Sequence, residues 1–182
     1  MTIAAEVFAL FDKRGSGAYF GEAVSMTEHA LQTAHFARLD GAPAWLELAA
    51  LLHDVGHLVQ DVPEDIADWV SDAHHENIGG RWLAPRFGAE IAAVVRLHVP
   101  AKRYLCATDP SYFAKLSPAS VHTLALQGGP MSADAVTAFE LEPQHREAVQ
   151  VRRWDDRGKV AGLATPTMLQ YRDLIERLAT RA

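Results

Sequence analysis

Two adjacent residues, His53 and Asp54, have the side chains and the surroundings of a metal-binding pair. They lie in a mostly apolar run, so the Asp54 carboxylate is expected to be buried. Burying an ionised carboxylate is strongly unfavourable unless a cation or several hydrogen bonds compensate for the lost water. A metal ion supplies that compensation, whereas the ordinary alternative makes Asp54 a helix cap and His53 a hydrogen-bonded core histidine.

Other residues of the same chemical types recur along the chain and could complete such a site. They are His29, His75, His98 and Asp155. Imidazole and carboxylate ligands without thiolates suit iron, manganese and similar ions. Cys106 is the only cysteine, which excludes a thiolate cage and an intrachain disulfide and favours a reducing, cytoplasmic setting.

Several further histidines must be distinguished from candidate ligands. His57 follows His53 by about one helical turn, so its ring can serve the site without binding the metal directly. His74 and His75 are neighbours, and neighbouring helical residues point about 100° apart, so only one is expected to reach a given metal. The others are interpreted as surface or structural residues: His35, His122 and His145.

Polar residues elsewhere in the sequence could bind an anionic substrate beside the metal. Lys102 follows His98 by four residues and Arg152 precedes Asp155 by three, so each cation can share a helix face with a candidate ligand. Neutral hydrogen-bonding groups recur on one predicted helix face, at Ser120, Thr123 and Gln127. The alternative is that the two cations are solvated helix charges and the neutral residues are ordinary helix polar groups.

The segment 15–24 is rich in glycine and carries Tyr19 and Glu22, which predicts a mobile lid. Tyr19 could instead be a packing aromatic, with Glu22 merely exposed.

The composition limits the class of protein that can position these groups. With 182 residues and 49% hydrophobic content, the chain suits one domain with a substantial core. The net charge of −6 gives no general attraction to nucleic acid or to an anionic membrane, so an anionic substrate needs a local cation cluster. The sequence shows neither a secretory signal pattern nor the ~18 uninterrupted apolar residues of a membrane span.

Apolar residues recur at helical spacing through most of the chain, which predicts an all-α fold. Ser25 and Glu28 form a capping box that predicts a helix through about Leu39. Further helices are predicted from residue-specific start and stop signals over 44–55, 75–84, 89–98, 117–126 and 165–178. Pro100 is expected to end the helix that carries His98, and Gly56 the helix over 44–55.

The ordered series His, His-Asp, His, His, Asp resembles the HD-domain metalloprotein superfamily, an all-helical fold that binds metal through these residues. The resemblance implies a basic metal-binding set of His29, His53, Asp54 and Asp155. It implies that His75 and His98 complete a second metal position, with His75 preferred because it begins an H-E-x-x-G stretch. The implied protein is a single HD domain over residues 1–182, with a dinuclear centre bridged by Asp54.

A narrower resemblance extends from about Tyr19 to Tyr171 and includes five motifs; the one with the His-Asp pair is superfamily-wide, and the other four carry the narrower assignment. The five motifs are YFGEA (19–23), LLHDVGH (51–57), HVPAKRYL (98–105), QGGPM (127–131) and RRWDDRGK (152–159). Together they resemble the HD-domain mixed-valent diiron oxygenases of organophosphonate degradation. That family implies two iron ions, Fe(II)/Fe(III), and dioxygen as co-substrate. It also implies a lid in which Tyr19, held by Glu22, protects an iron position until substrate binds.

The narrower resemblance implies oxidative cleavage of the C–P bond in a 1-hydroxy-2-ammonioethylphosphonate, made by a separate hydroxylase. The products would be phosphate and either glycine or glycine betaine, according to whether the ammonium is primary or trimethylated. Lys102, Arg152 and His57 would bind the substrate, together with the neutral groups at 120, 123 and 127. Aromatic residues that could contribute to a quaternary ammonium site are Phe20, Trp69, Tyr104 and Tyr112.

Two other hypotheses stay open at this point. A metal-dependent phosphohydrolase of the same superfamily would use the same His53-Asp54 pair to activate water. A non-catalytic HD-like interaction module would be expected to have degenerate ligands, yet all six candidate positions keep a histidine or an aspartate.

Overall fold

The computed structural model describes residues 1–19, 21–60 and 74–180, and the secondary structure in these ranges is helical. The eleven α-helices are α1 Ile3–Arg14, α2 Met26–Leu39, α3 Ala44–Leu51, α4 Val55–Val59, α5 His75–Phe87, α6 Ala89–Thr108, α7 Pro110–Phe113, α8 Pro118–Leu126, α9 Ala133–Glu140, α10 His145–Arg157 and α11 Arg172–Leu178. A 3-10 turn, Met168–Tyr171, precedes α11, and one isolated bridge pairs Ala18 with Ser25. The predicted all-α class is confirmed.

Helix α2 begins at the predicted capping box. The Ser25 hydroxyl accepts a hydrogen bond from the Glu28 backbone N–H at 3.2 Å, and the Glu28 carboxylate accepts one from the Ser25 N–H at 2.7 Å. These two bonds satisfy backbone donors that have no partner within the helix. The helix therefore starts at a defined residue and places His29 on its buried face.

The prediction of one helix over 44–55 is wrong. Helix α3 ends at Leu51, and α4 begins at Val55 and contains Gly56. Between them the chain turns, because the Val55 N–H bonds back only three residues, to the Leu52 carbonyl. The side chains on both sides of the turn are buried, so the apolar run continues across it without marking the break. His53 and Asp54 consequently lie in a turn, with Asp54 at the N-terminus of α4.

Helices α5 and α6 are both longer than predicted, and Pro100 does not end α6. Proline removes one backbone donor and usually kinks or ends a helix. Here the following turns carry Ala101 and Leu105, which are 0% and 3% exposed, so burial of the later residues outweighs the local cost. Helix α6 therefore continues to Thr108 and carries both His98 and Lys102.

The predicted start at Ser117 is confirmed, because its hydroxyl accepts from the Ser120 N–H and Pro118 is the first residue of α8. The predicted helix over 165–178 is wrong in its first part. Its cap is Thr167, and a 3-10 turn comes before α11. Helices α1, α7, α9 and α10 were not predicted, and α1 packs against α11.

The core surrounds α3, which contacts α2, α6, α10 and α11. The most deeply buried leucines of the core are Leu46, Leu48, Leu51, Leu52, Leu58 and Leu83. A second, smaller cluster forms where α6 meets α9 and α10. Among the described helices, none combines the length and the apolar character needed to cross a membrane.

Candidate metal centre

The first group of candidate ligands brings together α2, the α3–α4 turn and α10. The Nε2 atoms of His29 and His53 lie 3.1 Å apart. Oδ2 of Asp54 lies 3.7 Å from the first of these nitrogens and 3.3 Å from the second. Asp155 from α10 approaches the same two nitrogens, at 3.5 Å and 3.8 Å. Four predicted ligands thus converge on one buried point.

Backbone hydrogen bonds orient the histidine rings. Nδ1 of His29 lies 2.8 Å from the Gly158 carbonyl oxygen, and Nδ1 of His53 lies 2.8 Å from that of Ala50. A carbonyl oxygen only accepts, so each Nδ1 carries the proton and each neutral ring has its lone pair at Nε2. Two lone pairs facing each other at 3.1 Å repel unless a cation or a proton lies between them.

The second group shares Asp54 with the first. Oδ1 of Asp54 lies 3.3 Å from Nε2 of His75 and 3.3 Å from Nε2 of His98, and these nitrogens are 3.2 Å apart. The His98 ring is oriented in the same way, because its Nδ1 lies 2.6 Å from the Val95 carbonyl oxygen. Each oxygen of Asp54 therefore faces its own pair of histidines, which is the arrangement of a bridging carboxylate.

The donor set fits metal ions. Oδ2 of Asp54 and Oδ1 of Asp155 are buried and have no hydrogen-bond donor. Buried carboxylate oxygens without a donor are rare, since each is costly. Burial lowers the pKa of His29 to about 4, so this ring is neutral and its nitrogen is available as a ligand. Burial also opposes protonation of His53, but the Asp54 carboxylate outweighs it and raises that pKa to about 9.

Two glycines allow the close contacts that position these rings. A Cβ on Gly158 would lie 2.6 Å from the Thr33 hydroxyl and 3.2 Å from Nδ1 of His29. A Cβ on Gly56 would overlap the carbonyl oxygen of His75, so only glycine lets α4 pack this closely on α5. This close packing places His75 beside Asp54.

A cavity of about 60 Å³ adjoins the two groups. Its lining combines metal-ligand candidates, neutral polar residues and three cations, Lys102, Arg152 and Lys159. The side chains of all three are largely buried, with an exposed fraction of 10% or less. An acidic protein thus has a local concentration of positive charge beside the candidate metal ligands.

Lys102 lies at the predicted place on α6 and donates a hydrogen bond to the Thr123 hydroxyl at 2.9 Å. Burial, followed by the nearby charge of Arg152, lowers the pKa of Lys102 to about 7. Ser120 is buried on the same wall of α8, and the Gln127 side-chain oxygen is buried with no donor. The predicted neutral residues therefore line the cavity together with this lysine.

Arg152 is surrounded by acidic and phenolic partners. It donates to Asp155 at 2.7 Å and also pairs with Asp156. Tyr112 accepts from the Arg152 Nε at 3.1 Å and donates to Asp156 at 2.5 Å. Although burial raises it, the pKa of Asp155 is held below its usual value chiefly by Arg152. Arg152 consequently links the candidate metal ligands to the substrate cavity.

The predicted lid residues both line the cavity. The Tyr19 ring stacks on the His29 ring, with centroids 3.8 Å apart and planes 16° apart. Burial and then the Asp54 carboxylate raise the pKa of Tyr19 well above its usual value. Glu22 accepts a hydrogen bond from the Ser117 hydroxyl at 2.5 Å and lies 3.5 Å from the Lys159 ammonium. Glu22 is therefore not the exposed residue of the alternative interpretation, whereas Tyr19 is buried and packs on His29, as that interpretation also expected.

The remaining histidines differ in their position relative to the two ligand groups and the cavity. His57 stacks on His75 at 3.8 Å between centroids and lines the cavity. His74 is the left-handed residue before α5, with a side chain 68% exposed, and it points away from the buried ligands. Histidines predicted to be surface or structural lie outside the two groups: His35, His122 and His145.

The aromatic residues considered for a quaternary ammonium site are less well placed. Phe20 and Trp69 lie outside the described residues. Tyr104 donates to Glu140 and packs on Phe139, whereas Tyr112 bonds to Asp156, and neither lines the cavity.

Sequence reasoning assigned no role to Lys159 or Asp156, and it considered Tyr112 only for a quaternary ammonium site. Lys159 was quoted within a motif, but it follows the end of α10 at Gly158, so helical spacing from Asp155 does not locate it. Tyr112 belongs to the four-residue helix α7 and reaches Arg152 across 40 residues of sequence. Of the three residues, only Asp156 could have been found from the local sequence, because it is adjacent to the candidate ligand Asp155.

Comparisons with known proteins agree with this geometry. The HD domain family model matches residues 26–157. The chain is 42% identical over 172 residues to a [1-hydroxy-2-(trimethylamino)ethyl]phosphonate dioxygenase (glycine-betaine-forming) of Leisingera caerulea, covering 94% of this chain and 88% of the relative. It is also 42% identical over 171 residues to a hydroxymethylphosphonate dioxygenase of Gimesia maris, covering 93% and 85%. The chain therefore belongs to the HD-domain family, in the same group as these two phosphonate dioxygenases.

Proposed function

We propose that the protein is a dioxygen-dependent diiron enzyme that cleaves the C–P bond of a small 1-hydroxyphosphonate. One observation carries the proposal: the two oxygens of Asp54 face separate histidine pairs beside a cavity lined by three cations. The names of the two dioxygenases that share 42% identity support the same reaction. A 1-hydroxy-2-ammonioethylphosphonate, with a primary or trimethylated ammonium, would give phosphate and glycine or glycine betaine.

The overall reaction balances with one molecule of dioxygen. The C1–H and C1–P bonds break, one oxygen atom enters the carboxylic acid, and the other enters the phosphate. His29, His53, Asp54 and Asp155 would hold one iron, and Asp54, His75 and His98 the other. A bound Fe(II)/Fe(III) pair would supply the redox chemistry that activates dioxygen.

The residues of this chain would bind and orient the phosphonate. Lys102 and Arg152 offer charge-assisted hydrogen bonds to a dianionic head group. His57 can add a donor on the side of the second ligand group, and Ser120, Thr123 and Gln127 add neutral contacts from α8. Together they would hold C1 and its hydroxyl group at a fixed position beside the ligand cluster.

Tyr19 would protect the first ligand group before substrate binds. Its ring covers His29, and both are buried, so water and unproductive partners are kept away from that side of the site. The segment 15–24 would act as the lid, with Glu22 anchored to Ser117 in the state described here. Substrate binding would then require this anchor to yield.

The decisive experiment combines spectroscopy with turnover. Protein reconstituted with iron under anaerobic conditions is expected to give a mixed-valent diiron EPR signal that a 1-hydroxyphosphonate perturbs. Oxygen consumption should then match phosphate release one for one. Hydrolysis of phosphate esters at an undiminished rate without oxygen would instead identify a phosphohydrolase.

The proposed reaction also places requirements on its surroundings. The 1-hydroxyphosphonate must come from a separate enzyme that hydroxylates C1 of a phosphonate. A reducing, cytoplasmic setting is part of the same proposal, supported by the single cysteine and by the need to keep one iron as Fe(II).

A further inference from the structure

Lys159 has the environment of a substrate-binding residue, although it follows the end of α10. Its ammonium donates to the Ser120 hydroxyl at 2.8 Å and lies 3.5 Å from both the Ser117 hydroxyl and the Glu22 carboxylate. The side chain is 10% exposed and lines the cavity. Its charge therefore faces the space that a phosphonate would occupy.

The three cations of the cavity differ in how far their charge is already neutralised. Arg152 pairs with two aspartates, Asp155 and Asp156. Lys102 has a neutral hydroxyl partner. Lys159 stands between them, because its carboxylate contact among the described residues is the loose 3.5 Å approach to Glu22.

Glu22 is unusual among the acidic groups of this site. The other carboxylates that line the cavity within the described residues, Asp54 and Asp155, belong to the candidate metal ligands. A dianionic head group entering the cavity would repel the Glu22 carboxylate and attract the Lys159 ammonium. The loose ion pair is thus the contact that a phosphonate can replace with least loss.

We propose that Lys159 binds the phosphonate group of the substrate and that Glu22 is the internal carboxylate that it releases in exchange. This inference rests on the proposed phosphonate function. Binding would replace one carboxylate at Lys159 with a more highly charged phosphonate, and Glu22 would give up its hydrogen bond from Ser117 and turn to solvent. The same exchange would loosen the lid, because Glu22 and Tyr19 lie on one short turn.

The test uses methylphosphonate, an unreactive dianion, and metal-loaded protein kept anaerobic. Isothermal titration calorimetry is expected to show about tenfold weaker binding to Lys159→Met, since a charge-assisted contact is lost. Lys159→Arg should stay within a few fold of the wild-type protein. Lys115→Met removes an exposed lysine outside this cavity and serves as the matched control.

Glu22→Gln gives the sharper result, because removing a competitor should tighten binding. The variant is expected to bind methylphosphonate about threefold or more tightly than wild type, consistent with an ion pair worth up to about 1 kcal/mol. In the Lys159→Met background the same change should tighten binding clearly less, because only the direct repulsion from Glu22 is then removed, and a double-mutant cycle measures this difference. Thermal melts of each variant verify that it is folded.

The outcomes separate the two proposals. If the wild-type protein binds no methylphosphonate, both the proposed function and the role of Lys159 are overturned. If wild type binds but Lys159→Met matches Lys115→Met, only the role of Lys159 is overturned. Equal tightening by Glu22→Gln with and without Lys159 would contradict the exchange.

Discussion

At the scale of single residues, the orientation of each imidazole is determined by its nitrogen that does not face the site. Backbone carbonyls accept from Nδ1 of His29, His53 and His98, so their Nε2 lone pairs point inward. Asp54 divides its two oxygens between the histidine pairs. The protein backbone itself therefore orients the ligand atoms, which reduces the ordering required on metal binding.

The shared position of Asp54 distinguishes it from Asp155. Asp54→Asn should reduce metal content at both positions, because it removes the charge common to the two groups. Asp155→Asn should leave about half of the wild-type metal, since it approaches only the first group. Metal analysis after anaerobic iron reconstitution measures the difference, and equal losses in the two variants would contradict a bridge.

Lys102 is expected to serve binding at the expense of stability. Burial lowers its pKa, so at neutral pH and below the folded protein must hold a poorly solvated ammonium. Lys102→Met should raise Tm by several degrees while weakening methylphosphonate binding about tenfold. Calorimetry gives both quantities, and Lys115→Met should change neither.

The stability difference should depend on pH in a defined direction. An unfolded lysine has a pKa of about 10.4, whereas that of folded Lys102 is about 7. Between these values the unfolded chain binds more protons, so the destabilising effect is complete below about pH 7 and fades as pH rises. The Tm gap between Lys102→Met and wild type should shrink from pH 6.5 to about pH 9; a widening gap would contradict this origin.

At the scale of helices, the close approach of α4 and α5 controls the second ligand group. Gly56→Ala would force its Cβ against the His75 carbonyl, and the backbone there has no free volume into which to move. The variant should lower the free energy of unfolding by about 3 kcal/mol or more and lose metal chiefly from the second position. Thermal melts and metal analysis test the two effects separately.

A matched control distinguishes displacement from simple destabilisation. Val55→Ala removes buried methyl groups from the neighbouring position and should destabilise the protein by about 2 kcal/mol. Its metal content should stay at the wild-type level, because His75 is not pushed. If both variants lose metal equally, the glycine has no special role in positioning His75.

The helices show which structural signals are local. The starts at Ser25 and Ser117 were predictable because the cap and its partner lie within a few residues. The break after Leu51 was not, because the turn is as apolar and as buried as the helices it joins. The prediction that Pro100 ends a helix was wrong for the opposite reason. Its local sequence signal is clear, but burial of the residues that follow overrides it.

The residues of the site also differ in whether a local sequence signal could predict them. The candidate ligands were predictable from their order along the chain and its resemblance to a known family, and their convergence is seen in the folded chain. Lys159 was assigned no role and Tyr112 a different one, because each makes its contact with the site between segments about 40 residues apart. Residue type and helical spacing contain no information about such contacts.

At the scale of the whole molecule, the candidate ligands come from five elements: α2, the α3–α4 turn, α5, α6 and α10. Ions bound to them would join parts of the chain from His29 to Asp155. The unfolded chain lacks this arrangement, so metal binding should favour the folded state. Tertiary structure and metal content are therefore expected to change together.

Removing metal should consequently lower Tm. Treatment with a chelator is expected to reduce the stability of reconstituted protein by about 4 kcal/mol, the value for ligand at a thousand times its dissociation constant. Re-adding iron under anaerobic conditions should restore it. Asp54→Asn should respond weakly to the chelator, and a wild-type Tm that chelation leaves unchanged would contradict the linkage.

The sharing of Asp54 between the two ligand groups has a consequence for the abundance of the protein in a cell. Losing one ion would leave the residues of that position without the cation that orients them, so Asp54 would be held less firmly for the other ion and depletion would tend to empty the whole centre. The emptied protein would unfold more often, and proteases act on unfolded chains. Metal starvation would then shorten the lifetime of the enzyme, and phosphonate use would recover only through new synthesis.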